Sequence, residues 1–253
     1  MSSFCTLENK HNHAILSFGS DKQNALSSHL LNQLIEKIQS LDNDETIKLI
    51  VLQSSGEKTF CAGADLNELL SITTEQEGIA FFSLFARFSL VLRKSPHLIL
   101  VKVQGKAVGG ALGIIAAADY TIASQEAQIR LSELINGIGP FVVGPAIERK
   151  TGVAAFNQMT LNPGKWFDSN WALEKNLFNE IITHPLDQAV LNKINEITGY
   201  STPALREIKK MMWSAEPAWD ELVYSRAAIS GRLIVTNEAK IALARIRTSQ
   251  HKA

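Results

Sequence analysis

The chain has 253 residues, with 25 Lys and Arg set against 25 Asp and Glu, and is 45% hydrophobic, enough to bury a sizeable core without disulfide or metal staples. No basic block marks a nucleic-acid partner, Cys5 and Cys61 are too few for a disulfide framework, and no His/Cys spacing makes a metal site. The opening MSSFCTLENKHNHA lacks an apolar signal core and the run Ala107 to Ala118 is too short to cross a bilayer, so a cytoplasmic protein without a membrane partner is expected.

Cys5 to Glu8 and His13 to Phe18 read as two short strands around the polar segment Asn9 to Asn12. Leu30, Leu31, Leu34, Ile35, Ile38 and Leu41 then recur at helical spacing, with Ser27 or Ser28 as N-cap. The β-branched run Ile47 to Leu52 suits a buried strand and ends in the turn-like Ser54 to Glu57. From Thr74 to Lys94, Ile79, Phe82, Phe85, Phe88, Leu90 and Val91 predict an amphipathic helix, closed by Ser95-Pro96 because the residue before proline avoids helical geometry.

Leu98 to Val103 is the next strand, followed by Gln104 to Asp119, which reads as a glycine turn running into a helix. Gly109 and Gly110 let the backbone approach a ligand and leave amide N–H groups at the positive end of that helix, a setting that stabilises an oxyanion. The same glycines would also serve tight helix packing. Tyr120 to Ala123 and Gln128 to Leu131 are two further strands. Beyond Gly139-Pro140 the segments Gly144 to Thr151, Ala154 to Thr160, Ser169 to Lys175, Leu186 to Ile197, Pro203 to Trp213, Glu221 to Leu233 and Asn237 to Ile246 read as helices. A repeated strand-strand-helix order with a helical tail fits this pattern better than alternating βαβ units.

Four motifs carry a family resemblance. Asn24-Ala25-Leu26, Phe60-Cys61-Ala62-Gly63-Ala64-Asp65-Leu66, Gln104-Gly105 with Gly110 and Ala118-Asp119, and Leu131-Ser132-Glu133 with Gly137-Ile138-Gly139-Pro140 follow in order. Together they resemble the enoyl-CoA hydratase/isomerase, or crotonase, superfamily across most of the chain. The resemblance implies an α/β fold, a spiral of repeated ββα units over residues 1–195, and a C-terminal helical region over 196–253 that helps assemble homotrimers, commonly paired into hexamers.

It further implies an acyl-CoA thioester as partner. Coenzyme A is then part of the substrate, so no separate cofactor and no metal is expected. Backbone N–H groups of Ala64 and Gly110 would form the oxyanion hole, and Ala62, Asp65, Leu66 and Gly109 would meet the substrate. Asp65 is also placed to cap a helix beginning at Leu66. Cys61, between Phe60 and Ala62 and without a neighbouring base, reads as a buried spectator thiol.

Family hydratases use two glutamates, and here one is present. Glu133 takes the later position and is the expected general base; the earlier position is Gly113. Phe141 stands where the family usually has glycine, which predicts a drier pocket, although its backbone N–H could still hold a water. One base fits double-bond isomerisation better than hydration. Hydration with water positioned by Glu133 is the alternative, as is a non-catalytic acyl-CoA-binding subunit; decarboxylation and thioester hydrolysis are further chemistries of such a fold. Phe81, Phe82, Phe85 and Phe141 are candidates for an acyl pocket. His97 could reach a site but more simply belongs to the core. Lys58, Lys106, Arg245, Arg247 and Lys252 are cations that could meet phosphates or simply face solvent.

Overall fold

A computed structural model describes residues 3–183, 185–214 and 218–250. In chain order its first half runs β1 (Phe4–Asn9), β2 (His13–Gly19), α1 (Ser28–Gln39), β3 (Leu49–Ser54), β4 (Thr59–Cys61), α2 (Leu66–Ser71), α3 (Glu75–Lys94), β5 (Leu98–Val103), β6 (Lys106–Val108) and α4 (Gly110–Ala117). The second half runs β7 (Tyr120–Ser124), β8 (Gln128–Arg130), the 3-10 turn η1 (Glu133–Asn136), α5 (Gly144–Thr160), β9 (Phe167–Asp168), α6 (Ser169–Glu174), β10 (Glu180–Ile182), α7 (Leu186–Thr198), α8 (Thr202–Trp213), α9 (Trp219–Ile234) and α10 (Asn237–Gln250).

The strands form two sheets, one ordered β1-β2-β3-β5-β7-β10 and one ordered β4-β6-β8-β9. Each successive repeat gives its first strand to the large sheet and its second to the small one: β3 and β4, β5 and β6, β7 and β8. Within each repeat the chain then leaves the small sheet into a helical segment. That alternation is the ββα spiral expected from the sequence, and it stacks the three strand-to-helix junctions side by side. β1 and β2 pair antiparallel, while β2, β3, β5, β7 and β10 run parallel. Their buried faces explain the near-continuous apolar runs of β3 and β5.

Local chemistry sets the helix boundaries. The Ser27 side chain accepts the Leu30 N–H at 3.1 Å to start α1. Thr74 and Glu77 close a reciprocal capping box at α3, which satisfies donors that the first turn would otherwise leave unpaired. The two helices expected over Gly144 to Thr160 are one element with a kink at Gly152, whose φ is 78°. Four short strands, β4, β6, β9 and β10, lie where the sequence suggested no strand; two or three residues are too few to show a periodicity.

A buried charge cluster fastens the far end of α4. Asp119 accepts the Ile99 N–H at 2.7 Å and the Trp213 indole N–H at 3.0 Å, and it pairs with Lys209 of α8. Lys150 of α5 donates to the carbonyls of Ile115 and Ala118, both at 3.1 Å, satisfying C-terminal acceptors of the helix. The position of α4, and hence of Gly110 at its other end, is thereby tied to α5 and α8.

Candidate active site

Three junctions meet at one cleft of about 560 Å³, its open mouth included. It is lined by Ala62 to Ala64 from the β4 junction, Gly109 and Gly110 from the β6 junction, and Ser132, Glu133 and Asn136 from the β8 junction. Phe82, Phe85 and Leu69 add apolar surface, as do Ile138 and Phe141 to Val143.

The first junction is held by the loop containing Asn24. Asn24 has a left-handed backbone, φ 59°, and is buried, 4% exposed. Its side-chain amide donates to the carbonyls of Ser55 at 2.8 Å and Thr59 at 2.9 Å. Next along the loop, the Leu26 N–H donates to the Gly63 carbonyl at 2.7 Å and the Leu26 carbonyl accepts the Asp65 N–H at 3.0 Å. This isolated parallel bridge engages the neighbours of Ala64 and leaves the N–H of Ala64 itself pointing away from Leu26. Among the described residues it meets no acceptor.

The second junction supplies Gly110, whose N–H opens α4. This N–H is likewise without an acceptor among the described residues, and no side chain caps the helix. The two loops touch closely: a methyl group on Gly63 would lie 3.6 Å from the Gly110 nitrogen. Two unpaired amides at one cleft can receive a developing oxyanion.

Gly109 has φ 55° and ψ −121°, a conformation that side chains disfavour. A methyl group there would also come within 3.2 Å of the Glu133 Oε1. The glycine is thus required twice, by the turn and by the carboxylate against it. Its own N–H is bonded to the Arg130 carbonyl at 2.9 Å.

Glu133 opens η1, where chain direction is fixed by the left-handed Gly137, φ 75°. Its Oε2 is buried without a hydrogen-bond partner. Burial disfavours the charged form and pushes the carboxyl up from 4.5 to about 7, opposed in part by a backbone hydrogen bond. A carboxylate that exchanges its proton near neutrality, lying against Gly109 beside two free amides, has the properties of an acid-base group.

The place of the absent second carboxylate is filled. A methyl group at Gly113 would lie 2.5 Å from Val143 Cγ1 and 2.9 Å from its Cβ. A glutamate cannot stand at residue 113 while Val143 keeps its place. Nor is the Phe141 N–H free for a water, as the sequence had suggested, because it donates to the Gly139 carbonyl at 2.8 Å. The Phe141 ring folds back over Gly139, whose added methyl would come within 2.6 Å of it.

Asp65 and Leu66 lie beside the cleft rather than on its lining. Asp65 caps α2 by accepting the N–H groups of Asn67 at 2.8 Å and Glu68 at 3.3 Å, and it pairs with Lys22 at 2.6 Å. Lys22 escaped the sequence reading because the partners are 43 residues apart. Leu66 is half-buried against the main core.

Among the aromatic candidates Phe82, Phe85 and Phe141 line the cleft, and Phe81 belongs to the core, 5% exposed. His97 is also core: its ring nitrogens lie 2.8 Å from the carbonyls of Ile47 and Leu41. Cys61 is buried, with its thiol pushed up to about 12 by burial, which makes it unreactive. Lys106 and Arg130 flank the Trp166 ring, 5.1 and 4.4 Å from its centre, away from the cleft lining. Lys252 lies outside the described residues.

Comparison with known proteins agrees with this architecture. The family model described as enoyl-CoA hydratase/isomerase matches residues 13–244. YngF of Bacillus subtilis is 34% identical over 128 residues, 51% of this chain and 49% of YngF. Ethylmalonyl-CoA decarboxylase of Rattus norvegicus is 30% identical over 172 residues, 67% of this chain and 56% of that protein. The match therefore spans about half the length of these curated relatives. The crystal structure of enoyl-CoA hydratase from Bacillus halodurans superposes with a TM-score of 0.88 at 23% identity, covering 95% of this chain and 99% of that one, a likeness of fold. With its family model matched over nearly the whole sequence, the chain belongs to the enoyl-CoA hydratase/isomerase family.

Proposed function

We propose that this family member acts on an acyl-CoA thioester through an enolate, with Glu133 as its single proton carrier, and that it moves a double bond between the 3 and 2 positions rather than adding water. In this reading the thioester carbonyl oxygen lies between the N–H groups of Ala64 and Gly110. Ala62, Asp65, Leu66 and Gly109 form the flanking surface for the CoA portion. Glu133 removes a proton from C2 of a 3-enoyl thioester; the C–H pair moves into the C1–C2 bond and the carbonyl pair onto oxygen, where the two amides stabilise it. Collapse of the enolate shifts the double bond to C2–C3, and Glu133 returns its proton to C4. The carboxylate leaves this cycle unprotonated, so no second acid is needed.

The observation that carries the preference is the packing of Val143 against Gly113, which puts alkyl surface where a second carboxylate would be. The occupied N–H of Phe141 adds to it by removing a donor that could position water. The same geometry supports a homotrimer or hexamer: Leu134 and Ile135, directly after Glu133, are 47% and 40% exposed in the single chain, and Leu161 at the end of α5 is 73% exposed. Another copy of the chain would cover such surface.

The test follows kcat/KM for 3-enoyl-CoA against pH, with Glu133→Gln alongside. Base catalysis predicts a rate that rises with pH and levels off above about 7, where Glu133 is ionised, and a variant slowed by at least ~100-fold. Inactivity toward 3-enoyl-CoA together with release of CO2 from ethylmalonyl-CoA, at a rate that falls above this pH, instead favours a protonated Glu133 delivering a proton to an enolate made by decarboxylation, the reaction named for the rat relative. Equal rates for variant and wild type would remove Glu133 from the chemistry, and thioester binding without turnover would leave an acyl-CoA-binding subunit.

A further inference from the structure

One hydroxyl interrupts the apolar side of the cleft. Ser230 of α9 lines it together with Phe82 and Phe85, and is only 1% exposed. Helical hydroxyls commonly bond a carbonyl one turn back, as Thr198 does to Ile194 at 2.7 Å and Ser225 to Leu222 at 2.8 Å in this chain. Ser230 makes no such bond, and among the described residues its hydroxyl has no hydrogen-bond partner. Ser132 and Asn136, the other uncharged polar side chains on the lining, are half-buried and can be satisfied by solvent. The Ser230 hydroxyl, on the cleft lining and without a partner among the described residues, is available to whatever occupies the cleft.

Its place relative to the chemistry follows from α3. At one point Phe85 lies against the oxyanion-binding glycine: a methyl group on Gly110 would come within 2.6 Å of its ring. Further toward the N-terminus α3 meets α9 at a close crossing, where a methyl group on Gly231 would lie 2.6 Å from the Ile79 nitrogen. Phe85 and Ile79 are separated by roughly 9 Å of helix. Ser230, adjacent to Gly231, is therefore displaced along α3 from the carbonyl-binding amides.

Resting on the acyl-thioester reading above, we infer that Ser230 is a specificity-determining residue that hydrogen-bonds a neutral oxygen substituent, a hydroxyl or keto group, carried on the acyl chain remote from the thioester. A neutral group fits because no lysine, arginine or histidine lines the cleft among the described residues, so a second carboxylate would lack a counter-charge there. Ser230 selects the chain while Glu133 acts on it. Removing the hydroxyl should weaken recognition of the oxygenated chain and leave a plain chain bound equally well or better.

The test uses unreactive acyl-CoA thioethers in pairs of equal chain length, one plain and one bearing a hydroxyl or keto group at successive positions from C5 outward. Calorimetry compares wild type, Ser230→Ala and Ser89→Ala. Ser89 is a second buried hydroxyl without a partner, on α3 but not on the cleft lining, and controls for the loss of any buried hydroxyl. The expected result is that at one position the wild type and Ser89→Ala prefer the oxygenated thioether, and that Ser230→Ala loses about 3- to 10-fold of this preference. Discrimination by the same ratio in Ser230→Ala and wild type at every position overturns the inference alone. Failure of every thioether and of a saturated acyl-CoA thioester to bind overturns the acyl-thioester reading, and this inference with it.

Discussion

Glu133→Gln should stabilise the protein, and by an amount that depends on pH. In the native chain the carboxyl protonates at about 7 rather than 4.5, which corresponds to roughly 3 kcal/mol against its charged form. Below pH 4.5 both native and unfolded chains carry the proton and the penalty is absent. Between 4.5 and 7 the native chain retains a proton that the unfolded chain has released, so stability falls as pH rises; above about 7 the whole penalty is present. Glutamine occupies nearly the same volume and never ionises. Its advantage over wild type should grow from near zero at pH 4 to about 3 kcal/mol at pH 8. Urea unfolding at fixed protein concentration measures this, provided the slope with denaturant is unchanged. A stability difference that is constant with pH would refute the buried, uncompensated carboxylate, and with it the physical basis for calling Glu133 a tuned base.

Other substitutions probe the surrounding geometry. Gly113→Ala should cost about 1–3 kcal/mol by overpacking, since its methyl would meet Val143 at 2.5 Å; adding Val143→Ala should recover much of this, and a double-mutant cycle without coupling would contradict the contact. Gly109→Ala should lower stability by about 1–3 kcal/mol through its left-handed φ of 55° and impair turnover by displacing Glu133, both readable from unfolding and initial rates. Asp119→Ala would leave Lys209, whose side chain is 3% exposed, buried without its counter-charge, at a cost of about 3–5 kcal/mol in denaturant unfolding. A loss below 1 kcal/mol would show that the cluster does not anchor α4.

The sequence was legible where a feature is local or repeats. Helices α1 and α3 could be read to within a residue or two because both carry an apolar stripe and a side-chain cap. Strands β3 and β5 could be read because burial on both faces produces a run, and β2 because buried and half-buried positions alternate along it. In the small sheet β8 could be read as well, but β4, β6 and β9 could not, since their identity lies in partners elsewhere: β6 exists through pairing with Thr59–Cys61 and with Gln128–Arg130. The site divides in the same way. The glycine turn, the segment Phe60 to Leu66 and Glu133 are contiguous motifs, and the structure brings Ala64, Gly110 and Glu133 to one cleft. Gly113 and the bulky Phe141 to Val143 were each visible as departures, but their complementarity is a contact across 30 positions of sequence, and only the fold shows that one fills the space the other vacates. The Lys22–Asp65 pair and the unpartnered hydroxyl of Ser230 were hidden for the same reason.

The central claim, that a single glutamate at an oxyanion hole relocates a double bond in a site without room for a second carboxylate, is tested most directly by following one 3-enoyl-CoA in water enriched in heavy oxygen. The account predicts 2-enoyl-CoA as first product, free of solvent oxygen. 3-Enoyl-CoA left unchanged, while 2-enoyl-CoA supplied separately becomes 3-hydroxyacyl-CoA carrying the heavy isotope, would contradict it.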